Sequence, residues 1–141
     1  MNRFRRTAAA IAMMAASAAG CSNDTTTTPT TSTPATIQDT FSGTLNQNGS
    51  GTFQFTTLQS GQVTAVLSTL TTTDGSASPN VGLTLGTWNG NACASVITKD
   101  GANQSSSIVG SVSAAGTLCV RIYDVGNVTA PLDYTINVNH P

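Results

Sequence analysis

Charge is what this 141-residue chain has least of: charged residues make up 8% of it, and none is a glutamate. The six acids are Asp24, Asp39, Asp74, Asp100, Asp124 and Asp133. Three of the five cations, Arg3, Arg5 and Arg6, lie in the first six residues, so Lys99 and Arg121 are the only later ones. Beyond residue 20 the balance is two cations against six acids, or −4. That excludes nucleic acid as a partner, because a polyanion is held by clustered Lys and Arg that displace its counterions. The scarcity of Lys and Glu also removes the residues that usually clothe helix surfaces. The one histidine, His140, stands next to the last residue, where chains usually fray, so a rigid Ser–His–Asp arrangement is not expected. The glycines are scattered through turns rather than gathered into a phosphate-cradling loop. No enzyme and no cofactor is read from these residues.

The first twenty residues are organised differently. Asn2-Arg3-Phe4-Arg5-Arg6 is a basic segment, Thr7 to Ala16 is apolar and uncharged, and Ala18-Ala19-Gly20 is a small-residue site before Cys21. This is the layout of a secretory signal. The apolar stretch is shorter than the ~20 residues a membrane-spanning helix needs. Ala18-Ala19-Gly20-Cys21 resembles the lipobox of bacterial lipoproteins, with Ala18 where Leu is commonest. The resemblance implies cleavage before Cys21, acylation of its thiol, and a membrane partner reached through that lipid anchor. Several acyl chains hold a protein on a bilayer far better than one, at ~0.8 kcal/mol per buried CH2. Ser22, in place of the Asp that retains such proteins at the inner membrane, implies the outer membrane, facing the periplasm or the cell surface. The alternative is an ordinary signal peptide cut near Ala19, leaving Cys21 free.

From Cys21 to Thr36 the chain reads "CSNDTTTTPTTSTPAT", a Thr- and Pro-rich tether without apolar periodicity. Such a segment buries too little apolar surface to offset its ordering entropy. The expected organisation is a signal at 1–20, a lipidated linker at 21–36 and a folded head at 37–141.

The head alternates. Thr52-Phe53-Gln54-Phe55-Thr56 and Val81-Gly82-Leu83-Thr84-Leu85 place apolar residues at every second position, as do Val63 to Leu67, Ile108 to Val112, Thr117 to Asp124 and Leu132 to Val138. Phe41, Gly43 and Leu45 make another such segment, and Cys93 to Thr98 a further strand ending at Asp100-Gly101. Asn48-Gly49 and Asn89-Gly90 are the strongest hairpin signals. About eight strands with frequent turns predict an all-β, antiparallel, jelly-roll-like β-sandwich without helices. The expected core is Phe41, Leu45, Phe53, Phe55, Val63, Ala65, Leu67, Leu83, Leu85, Ile108, Val112, Leu118, Val120, Ile122, Ile136 and Val138. Each large apolar side chain contributes about 1.5–3 kcal/mol when buried.

With Cys21 lipidated, Cys93 and Cys119 remain, and an exported compartment permits a disulfide between them. Cys119 has the opposite parity to Leu118, Val120 and Ile122, which places the bridge on an outer face or a sheet edge. Two separate buried thiols are the alternative. A metal site is disfavoured, because two cysteines lack convergent histidines.

The stretch "SAAGTLCVRIYDVGNVTAPLDYTINVN" resembles the end of the bacterial pre-peptidase carboxy-terminal (PPC) family, through Gly116, Leu118, Val120, Arg121, Ile122, Asp124, Tyr134, Ile136 and Val138. "FSGTL", "GTFQF" and "SGQVTAVLS" fit earlier parts of that pattern. The resemblance implies a β-sandwich module of the kind appended to secreted hydrolases, where some members assist substrate binding or secretion. Calcium sites near the start of some members are not carried over, because Asp39 is the only acid in the first strand here.

The contact candidates are few. Trp88 beside Asn89-Gly90 either plugs the core or stacks on a sugar ring or a partner's side chain. Tyr123 has outward parity, and so does Arg121, which is expected to pair with a neighbouring Asp. Asp74, Asp100 and Asp124 are read as turn caps, with a shared Ca2+ site as the less favoured alternative. The reading that follows is a non-catalytic, lipid-anchored envelope module that binds or scaffolds, with a carbohydrate or an envelope protein as its partner. The alternatives are an assembly lipoprotein whose sandwich edge pairs with another chain, and an accessory substrate-binding module working with a secreted hydrolase.

Overall fold

The computed structural model describes residues 35–75 and 78–141. The signal at 1–20, Cys21 and the tether up to residue 34 lie outside the described residues. Eight strands follow one another: β1 (Ile37–Leu45), β2 (Ser50–Thr57), β3 (Gly61–Thr72), β4 (Val81–Trp88), β5 (Cys93–Ala102), β6 (Ser107–Val112), β7 (Gly116–Tyr123) and β8 (Leu132–His140). There is no helix among the described residues.

The strands form two four-stranded antiparallel sheets, ordered β1-β8-β3-β6 and β2-β7-β4-β5. This is the strand order of a jelly roll, two interlocked Greek keys. Six of the seven connections cross from one sheet to the other, and only β4 and β5 form a hairpin of consecutive strands. The Asn89-Gly90 signal is therefore a hairpin, with Gly90 at φ 96° and the Asn89 side chain accepting N–H bonds from Asn91 and Ala92. The hairpin expected at Asn48-Gly49 is corrected. Asn48 takes the left-handed conformation, φ 58°, but β1 pairs with β8 and β2 with β7, so the turn is an arch between sheets. Turn chemistry reverses the chain in both cases. Which sheet the next strand joins is decided by burial.

Alternation puts one face of each sheet inside. Val63, Ala65 and Leu67 of β3, Leu83 of β4, Val120 and Ile122 of β7, and Ile136 and Val138 of β8 are completely buried. The core exceeds the expected set by Leu70, Val81, Ala102, Val128, Leu132 and Tyr134. Phe41, Phe53 and Val112 only flank it, partly buried. Val128 has no alternation to reveal it, since it sits in the β7–β8 connection. On one side of the sandwich, Phe41 and Phe53 stack with centroids 4.9 Å apart, and Tyr134 meets Phe53 edge-on at 6.3 Å. β5 also departs from expectation, running through Asp100-Gly101 to Ala102 where a stop was expected.

Candidate functional site

The outer face of β4 is nearly bare. Its inward residues are Val81, Leu83 and Leu85, so Gly82, Thr84 and Gly86 point outward. That Gly-Thr-Gly furrow is filled from neighbouring strands. The Tyr123 ring lies over Gly82, where a Cβ would come within 2.2 Å of it. At the other end the backbone carbonyl of Ala94 would stand 2.1 Å from a Cβ on Gly86. Strand β5 thus folds over β4 at its start, and Cys93 reaches Cys119 on β7, with Cα atoms 5.7 Å apart and the thiols bridged. The bridge lies on the outer face and starts from an edge strand. Cys119 is nonetheless fully buried, because the folded-over turn covers it.

The staple fixes the β4–β5 turn against the sheet, and a depression of about 280 Å³ is lined by that turn and by its neighbours. Trp88, Asn91, Ala92 and Cys93 contribute from the hairpin, Arg121 from β7, and Ser50 and Thr52 from β2. Trp88 is half-buried and stands outside the core cluster, which decides against its role as a core plug. Arg121 also departs from expectation. It pairs with no Asp among the described residues, and its guanidinium lies over the Tyr123 ring, 5.3 Å from the centroid. Tyr123 is held in turn by its hydroxyl, which donates to Asp100. Desolvation, then that hydrogen bond, raises the Tyr123 pKa, so the phenol stays neutral. Tyr123 is therefore a platform for Arg121, while Trp88 and Arg121 share one depression. Sequence reasoning missed Ser50, Thr52 and Asn91, because the strand order β2-β7-β4 that gathers them is not a local property.

The carboxylates do not converge. Asp124 accepts backbone N–H bonds from Asn48, Gly126, Asn127 and Val128 at 2.7–3.0 Å. These donors, that of Asn48 most strongly, lower its pKa from the ordinary 3.8 against a smaller desolvation effect. Asp100 is engaged with Tyr123, and Asp74 lines a different depression with Thr72, Pro79 and Asn127. No group of three or more His, Cys, Asp or Glu side chains able to hold a metal occurs among the described residues, and Asp74, Asp100 and Asp124 are not brought together there. His140 is not frayed. It is 2% exposed, closes β8, packs 5.1 Å from the Phe55 ring and meets Asp39 at 3.1 Å through Nε2.

At the opposite edge of the second sheet, β5 faces β6 across a smaller apolar cavity of about 80 Å³, lined by residues including Leu85, Val96, Ile97 and Val112. Of these, Val96 is exposed. No protein-family model matches the chain, and no curated protein is found to be similar to it.

Proposed function

We propose that this protein is a non-catalytic envelope module, tethered by lipid at Cys21, that binds carbohydrate in the Trp88–Arg121 depression. The observation that supports it is the depression itself. A half-exposed indole stands beside a guanidinium, an amide and two hydroxyls, on a turn held by a disulfide. Aromatic rings take the apolar face of a pyranose, while convergent polar groups fix its hydroxyls. The anchor rests on the lipobox and the reach on the Thr-rich segment that follows it. The likeness to the PPC family adds the accessory role, a module that holds a substrate for a separate hydrolase.

Two measurements test the reading. Mass spectrometry of protein extracted from membranes checks for acyl mass on Cys21. Affinity electrophoresis of the full chain in gels carrying envelope and plant polysaccharides checks binding, with Trp88→Ala expected to abolish retardation. The exposed Val96 at the β5–β6 cavity favours the alternative, a partner's strand docked at that edge. Retardation by no polysaccharide, with envelope association lost in Val96→Lys and kept in Trp88→Ala, would replace the first reading with the second.

A further inference from the structure

We infer that the depression takes an anionic sugar, a pyranose carrying a carboxylate, and that Arg121 is the residue that selects it. This rests on the carbohydrate reading above and narrows its ligand class. Residues 37–141 hold five Asp and only two cations, Lys99 and Arg121. Four of these carboxylates are engaged within the fold: Asp39 with His140, Asp100 with Tyr123, Asp124 with four backbone amides and Asp133 with the Thr44 hydroxyl; Asp74 is not free either. Arg121 makes no ion pair and no hydrogen bond among the described residues, although acids outnumber cations. A guanidinium left without a carboxylate in a domain where acids outnumber cations is available to a carboxylate from outside.

Its setting suits that task. Among the described residues, Arg121 is the only charged one lining the depression, and the polar groups around it, Ser50, Thr52 and Asn91, are neutral. No acid among the described lining residues competes for the guanidinium or repels an anionic ligand. The Tyr123 ring beneath it restricts the side chain and leaves the N–H fork free, since the contact is with the π face. A planar fork binds a carboxylate through two parallel hydrogen bonds, and orientation in advance reduces the ordering cost. Trp88 in the same depression offers a surface for the sugar ring. The head as a whole carries net negative charge, so general attraction to polyanions is not an alternative cause.

The test is calorimetric titration of the full chain in detergent with tetragalacturonate and tetramannuronate, each compared with its methyl ester. The acid forms are expected to bind about tenfold more tightly than the esters. Arg121→Gln is expected to remove that preference, so that acid and ester bind equally, while Trp88→Ala weakens both and keeps the preference. An unchanged melting temperature and an intact disulfide in each variant show that the fold is kept. Equal binding of acid and ester by the parent protein would overturn the assignment to Arg121 while leaving carbohydrate binding in place. Binding of neither would overturn both.

Discussion

Cys93 and Cys119 are joined across a strand that belongs to neither. Cys93 opens β5, Cys119 lies within β7, and β4 runs between those two strands. Strands separated by one neighbour ordinarily lie about 9–10 Å apart. The 5.7 Å between these Cα atoms is possible only because β5 curls over β4 at Gly86. The bridge therefore closes the hairpin and sets the wall of the depression in one step. Replacing both cysteines by serine, or reducing the bridge, is expected to cost about 2–4 kcal/mol of stability. It also frees the turn that carries Trp88 and Asn91. Thermal melts with and without a phosphine reductant measure the first effect, and the same polysaccharide gels measure the second. Unchanged retardation after confirmed reduction would show that the staple does not shape the site.

Gly86 is the position that lets the strand fold over. A methyl group there meets the Ala94 carbonyl, which is backbone and can yield only if β5 moves. Gly86→Ala is expected to destabilise by about 1–3 kcal/mol. Gly116→Ala, where nothing lies within 4 Å, is expected to stay within about 0.5 kcal/mol. Chemical denaturation of the two variants side by side checks the contrast, and equal stability would contradict the close approach.

Asp124 ties the β1–β2 arch to the β7–β8 connection, through the Asn48 amide on one side and the amides of residues 126–128 on the other. Its carboxyl is held below the ordinary value of 3.8, so the unfolded chain takes up its proton at higher pH than the folded one. The stability it confers is full above that ordinary value and is lost as pH falls through the lower folded one. Asp124→Asn is expected to be less stable than the parent at neutral pH and to lose the acid-side slope. Denaturant midpoints from pH 7 down to about pH 3 would show it. Parallel curves for the two proteins would refute the assignment.

His140 is a packed residue, against the expectation of a frayed end. Its ring sits beside Phe55 and its Nε2 meets Asp39, which ties the start of β1 to the end of β8. His140→Ala leaves a buried gap and an unpaired Asp39, and is expected to cost about 1–3 kcal/mol. Hydrogen exchange at the amides of Ile37 to Asp39 should speed up in that variant. Unchanged exchange there would mean the end is loose after all.

Much of the fold was legible because alternation is local. The runs around Phe53, Val63, Leu83, Leu118 and Ile136 each declare a strand and its inner face, and those faces are the ones buried. Pairing was not legible. Asn48-Gly49 and Asn89-Gly90 carry the same turn chemistry, yet one is an arch and the other a hairpin. The site was legible only in parts: Trp88 and Tyr123 stood out as aromatics, whereas Ser50, Thr52 and Asn91 had no signal of their own.

By itself, then, the sequence determined the strands, their inward faces and the candidate pair of thiols, because those follow from a two-residue period and from composition. Tertiary structure alone decided that Trp88 leaves the core, that Arg121 rests on Tyr123 instead of pairing with an acid, and that both line their part of one outer face. The physical reason is that strand neighbours are chosen by burying the inner faces of two sheets together. That choice joins residues dozens of positions apart, as it joins Thr52 to Arg121, and no local pattern encodes it.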